Sequence, residues 1–176
     1  MDINTEIFYL INNGMANPVF DAVMPQLTNL GGFVALLVIC LLAVLILRHY
    51  QKEKYLRIAK MCLAALILSG IIAAALKLLI HEPRPYTVLE NVRQLVVPSE
   101  PNSFPSGHTS STFSIVTVLT SELRQHKTLV SLLVAFCIII AFSRIYCGMH
   151  YPFDVVVGAM VGIISAVVIL KLKVKF

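Results

Sequence analysis

Ser143-Arg144-Ile145-Tyr146-Cys147-Gly148-Met149-His150-Tyr151-Pro152-Phe153-Asp154 sets a guanidinium, an imidazole and a carboxylate between two long apolar runs, 129–142 and 155–170. Ionisable groups at the edge of a membrane span are costly, and they persist where they serve a function. Pro152 suits the first turn of a helix, where its missing N–H costs nothing. A helix opening near His150 would put His150 and Asp154 four residues apart on one face. A carboxylate there can accept the imidazole Nδ1–H, fixing the tautomer and leaving Nε2 free as a base or nucleophile. Arg144 lies across a short turn and could hold an oxyanion in front of that nitrogen.

The apolar runs decide the fold class. Hydrophobic residues make up 58% of the 176-residue chain and charged residues 13%. The mean hydropathy is +0.85. Soluble domains do not reach such values. The expectation is an all-α, polytopic membrane helix bundle of one domain, 1–176, with about five transmembrane helices. The runs 31–48, 58–80, 107–123, 129–146 and 152–171 are each near the length a bilayer requires. Residues 1–28 are interrupted by Asn12-Asn13-Gly14 and Asn17-Pro18, and read as interfacial helices. The N-terminus has no basic segment ahead of its apolar residues, so no cleavable signal peptide is expected. Cys40, Cys62, Cys137 and Cys147 are scattered, without metal-ligand or disulfide spacing, and read as small apolar filler.

Charge assigns the sides. Arg48, Lys52, Lys54, Arg57, Lys60, Arg124, Lys127, Lys171, Lys173 and Lys175 fall on one side, against Glu53 and Glu122. The other side has Lys77, Arg84, Arg93 and Arg144 against Asp2, Glu6, Asp21, Glu82, Glu90, Glu100 and Asp154. By the positive-inside rule the first side is cytoplasmic. The net charge of +5 is therefore a topology signal rather than a nucleic-acid surface. The lysines at 171–175 could also meet anionic headgroups.

Under this topology three polar clusters reach the outer boundary. Lys77 ends the second span, which Pro83 and Pro85 stop around Arg84. After an extracytoplasmic loop, 86–105, Ser106-Gly107-His108 opens the third span. There the free N–H groups of a helix start make an anion site, and Gly107 permits close backbone approach. Arg144, His150 and Asp154 form the third cluster. Four basic side chains lie on this side and only Arg93 falls outside the clusters. Lys77, Arg84 and Arg144 could together neutralise a phosphoryl group, whereas one carboxylate, Asp154, is too few for a two-metal clamp.

These residues resemble the three signature motifs of the type 2 phosphatidic acid phosphatase superfamily. The matches are Lys77-x6-Arg84-Pro85, Pro105-Ser106-Gly107-His108 and Ser143-Arg144-x5-His150-x3-Asp154, complete and in order over residues 77–154. That family includes bacterial lipid phosphatases, glucose-6-phosphatase and vanadium haloperoxidases. The resemblance implies His150 as the nucleophile, forming a phosphohistidine, with Asp154 orienting it. It implies His108 as the acid to the leaving oxygen and then the base to water. Lys77, Arg84, Ser106, Gly107 and Arg144 would bind phosphate, with no metal and no other cofactor. The small size and lean loops look most like bacterial undecaprenyl pyrophosphate phosphatases. The implied partners are a lipid phosphate substrate and the membrane lipids themselves, with no nucleic acid. The implied place is the cell membrane, with the site facing the extracytoplasmic side.

Taken singly, each motif residue has an ordinary structural explanation. Lys77 could snorkel, Ser106 could cap a helix, and His150 with Asp154 could cap another. Together these explanations do not account for clustering on one face. His49, His81 and His126 belong to no motif and read as interfacial or solvent-facing, and 109–112 read as small polar residues packing helices. The alternatives within the resemblance are phosphatidylglycerol phosphate, phosphatidic acid or lipid A as substrate, or a phosphotransferase. A non-enzymatic lipid-phosphate binder is the other class.

Overall fold

The computed structural model describes residues 2–98 and 100–172, and among them every named element is an α-helix. The order is α1 (Ile3–Asn12), α2 (Pro18–Leu30), α3 (Phe33–His49), α4 (Glu53–Leu79), α5 (Pro85–Val88), α6 (Gly107–Glu122), α7 (Lys127–Tyr146) and α8 (Pro152–Lys171). Helices cover all five expected span positions, and two helices precede them, as the sequence leads one to expect. By length and hydropathy α4, α7 and α8 can each cross a membrane, and α2 with α3 forms a fourth candidate bent by 51°. Of the basic residues assigned to the cytoplasmic side, Lys173 and Lys175 lie outside the described residues.

α6 is the exception among the span positions, and its packing explains why. At 16 residues it is short for a bilayer, and Thr109, Ser110, Ser111, Thr112 and Ser114 are all buried. It sits between α4 and α8, which also touch each other. Close approach requires small residues on both sides. A Cβ on Gly162 of α8 would stand 2.4 Å from the Ser110 carbonyl oxygen, and one on Gly158 would stand 2.6 Å from that of Ser106. α6 is thus enclosed by protein and does not need an apolar surface. The 109–112 residues pack helices, as expected. Below them, Leu36, Cys40, Met61, Cys62, Leu66, Val118 and Ala166 form the main apolar cluster. Val38, Leu42, Leu45, Ile71, Ile138, Val156 and Ile164 face outward. This is how a bundle immersed in hydrocarbon distributes its apolar residues, since lipid exacts no penalty for exposing them.

Two devices bring the outer end together. The first is the loop after α5. Ser103 N–H donates to the Glu82 carbonyl (2.8 Å), Pro83 bridges Asn102, and Leu95 N–H reaches the Cys147 carbonyl (3.2 Å). The loop therefore folds back over the α4 end and the α7–α8 turn. The second is the α2–α3 break at Gly31-Gly32. A Cβ on Gly31 would lie 2.6 Å from Ile140 and 2.8 Å from the Thr112 hydroxyl, so only glycine lets the break press against α6 and α7. Arg93, outside the clusters as expected, pairs with Asp21 and donates to the Asn12 carbonyl, tying loop to α1 and α2.

Candidate active site

A cavity of about 220 Å³ opens at the outer end, walled by Arg84, Gly107, His108, Arg144 and His150. These five come from all three motifs. The convergence expected from sequence is therefore met for them. Lys77, Ser106 and Asp154 stand behind or beside this wall.

His150 lies in the turn between α7 and α8 and is 2% exposed. Its Nε2 is 3.4 Å from Arg84 Nη1. A guanidinium can only donate, so Nε2 accepts and Nδ1 carries the ring proton. Nδ1 faces two oxygens, Ser103 Oγ at 3.4 Å and Asp154 Oδ2 at 3.5 Å. The Ser103 hydroxyl donates to that same Asp154 oxygen at 2.5 Å. A relay results, running from imidazole through hydroxyl to carboxylate. Burial holds the His150 pKa well below the ordinary histidine value of 6.5, and Arg144, Arg84 and Lys77 push it the same way. The ring is neutral at pH 7, with its Nε2 lone pair turned to Arg84 at the cavity wall.

The helix starts where the 152–171 run starts, two residues after the opening near His150 that would have put His150 and Asp154 on one helical face. α8 begins at Pro152 with Tyr151 as its cap, so His150 is outside the helix. Asp154 occupies the third helical position and accepts Tyr151 N–H at 2.9 Å. Proline fits the first turn but pushes the residue before it to extended backbone, which sets the boundary. The carboxylate thus serves both readings raised from sequence, capping the helix and facing the histidine.

Lys77 and Arg84 are held by backbone carbonyls. Arg84 donates through Nε to the Glu100 carbonyl and through Nη1 to the Met149 carbonyl, both at 2.9 Å. Lys77, in the last turn of α4, donates to the Asn102 carbonyl at 2.9 Å and pairs with the Glu100 carboxylate at 3.2 Å. Arg144 lies in the last turn of α7, where a cation suits the helix dipole. Its Nη1 donates to the Thr28 hydroxyl at 2.8 Å, and its buried Nε has no protein partner among the described residues. Gly107 opens α6, and a Cβ there would meet nothing within 4 Å, so the space beside the backbone is open. Ser106 is fully buried and its hydroxyl accepts from Thr109 at 2.9 Å.

Beside the cavity an apolar groove of about 410 Å³ follows one face of α4 through Ile67, Gly70, Ile71 and Ala74 to Lys77. Ten helical rises from Ile67 to Lys77 make this about 15 Å long. Phe33 closes its other side, and Glu100 and Gly107 belong to both groove and cavity. Ile71 is exposed, so the groove opens sideways toward hydrocarbon. Ser103, Glu100, Thr28 and Asn29 reach the site without being expected there. Ser103 stands three residues ahead of Ser106 in the chain, which is the one signal that pointed to it.

Known proteins resemble this chain in sequence and fold. The PAP2 superfamily model matches residues 58–176. Undecaprenyl-diphosphatase BcrC of Bacillus subtilis is 32% identical over 92% of this chain and 80% of its own length. A bacitracin transport permease protein BcrC of Bacillus licheniformis is 34% identical over 58% of this chain, a match that spans about half (49%) of that relative. The crystal structure of Aquifex aeolicus LpxE superposes with a TM-score of 0.82 at 34% identity, covering 97% of this chain and 96% of that one.

Proposed function

This chain belongs to the PAP2 superfamily and is a multi-pass membrane hydrolase of lipid phosphates, and from that premise we propose that its substrate is a polyprenyl diphosphate of the undecaprenyl type. The terminal phosphate is removed, leaving the lipid monophosphate. The basic residues at the other helix ends support a site on the extracytoplasmic side.

The proposed course has two steps. His150 Nε2 attacks the terminal phosphorus while the bond to the bridging oxygen breaks. His108 gives its proton to that oxygen. Water, deprotonated by His108, then cleaves the phosphohistidine and releases inorganic phosphate. The Ser103–Asp154 relay steadies the ring as it becomes cationic. Lys77, Arg84, Arg144, Ser106 and the Gly107 N–H hold the phosphoryl oxygens, which is where phosphoryl transfer draws most of its catalysis. The lipid tail lies in the α4 groove while the phosphate enters the cavity.

The observation that carries this reading is the junction of groove and cavity at Glu100 and Gly107, an apolar channel ending on a cationic pocket with a neutral histidine inside. The test is a phosphate-release screen of the purified protein in detergent. It spans polyprenyl diphosphate, phosphatidylglycerol phosphate, phosphatidic acid and lipid A. We expect the highest kcat/KM on polyprenyl diphosphate, and His150→Ala to abolish turnover. A higher kcat/KM on any other lipid would overturn the substrate, and full turnover by His150→Ala would overturn the mechanism. Relatives named undecaprenyl-diphosphatase favour this choice.

A further inference from the structure

Asn29 reaches the site from outside all three motifs and upstream of the family-matched segment. It stands in the last turn of α2, where it borders both the 220 Å³ cavity and an adjoining cavity of about 340 Å³ lined by Phe33, Gly107 and His108. Its position is fixed from two sides. The residue before it, Thr28, is 1% exposed and accepts from Arg144 at 2.8 Å. After it, the Gly31-Gly32 break runs beside His108, and a Cβ on Gly32 would stand 3.5 Å from His108 Nε2. The end of α2 is thus pinned between the arginine and the imidazole. The Asn29 side chain is exposed and has no hydrogen-bond partner among the described residues.

The chemistry says what belongs there. With the terminal phosphorus against His150, the bridging oxygen must point to His108, which protonates it. Whatever follows that oxygen lies on the His108 side, in the direction of the adjoining cavity. In a diphosphate that group is a second phosphate. In a phosphate monoester it is a carbon. A carboxamide donates two N–H groups to an anion without adding charge. We propose that Asn29 donates a hydrogen bond to the phosphate that stays on the lipid, and so selects diphosphates over monoesters. This rests on the polyprenyl diphosphate reading above.

The experiment compares a polyprenyl diphosphate with the polyprenyl monophosphate of the same chain length, on wild type, Asn29→Ala and Asn29→Asp. Loss of a donor to a charged acceptor lowers kcat/KM on the diphosphate about tenfold or more in Asn29→Ala, and on the monophosphate by no more than about twofold. Asn29→Asp falls further on the diphosphate, because a carboxylate repels it. Thermal melting of each variant accompanies the kinetics. Equal losses on both substrates, or none on either, overturn the role of Asn29 while leaving the substrate reading intact. A wild type inactive on the diphosphate overturns the substrate reading and Asn29's selectivity with it.

Discussion

Replacing Ser103 with alanine isolates the relay behind the nucleophile. The hydroxyl lies 2.5 Å from Asp154 Oδ2 and 3.4 Å from His150 Nδ1, whereas carboxylate and imidazole are themselves 3.5 Å apart. The serine therefore carries the stronger link to the carboxylate. A hydrogen bond to a buried charged group contributes about 1.5–3 kcal/mol. Only the part that grows in the transition state changes kcat. That part exists because the ring gains positive charge as Nε2 bonds phosphorus. Taking it as about 1.4–2 kcal/mol gives a fall in kcat of about 10–30-fold. Asp154 keeps Tyr151 N–H at 2.9 Å and stays in place, so the fold should tolerate the change.

The assay is steady-state phosphate release, which separates kcat from KM, with rapid-quench trapping of the phosphohistidine. We expect lower kcat, little change in KM and a slower phosphorylation burst. Melting temperature reports any structural loss separately. A kcat within about twofold of wild type, with only the melting temperature lowered, would reduce Ser103 to a packing residue and refute the relay.

Glu100 pairs with Lys77 at 3.2 Å while its side chain is 47% exposed, so it competes with the incoming phosphate. An exposed pair of this kind is worth up to about 1 kcal/mol, so Glu100→Gln should lower KM by up to about fivefold at constant kcat. A rise in KM would instead mean that Glu100 positions Lys77 for the phosphate rather than competing with it. The depressed His150 pKa predicts that its ring protonates only below 6.5 in the free enzyme. Raising the pH through that depressed value creates the nucleophile, so the acid-side loss of activity is the one that His150 sets. NMR titration of the imidazole, assigned by difference from His150→Gln, checks this, and a midpoint at or above 6.5 would contradict it. Two glycines should separate fold from function. Gly162→Val drives a side chain into the Ser110 backbone and should lower the melting temperature, whereas Gly107→Ala meets no protein atom within 4 Å and should lose turnover with the melting temperature kept. Equal melting losses would put Gly107 in a structural role.

What could be read from the sequence follows from which forces act locally. Lipid imposes apolar runs and sorts basic residues by side, so spans and polarity are written along the chain. The motif residues are legible because each cluster is short and helix ends are marked by proline and glycine. The rest depends on contacts distant in sequence. Ser103 and Glu100 matter only because the loop crosses back at Glu82 and Pro83, a path no periodicity encodes. Thr28 meets Arg144, and Asn29 shares a cavity with His108, beside a chain that bends by 51° between α2 and α3, and a Gly-Gly pair reads equally well as a span opening. α6 shows the legible case. Its serines and threonines read as small polar residues that pack helices, and enclosure by α4 and α8 makes them the surface that brings Ser106-Gly107-His108 against Asp154, through Ser106 N–H to the Asp154 carbonyl at 3.0 Å. Small residues chosen for close packing thus bring the second motif into register with the third.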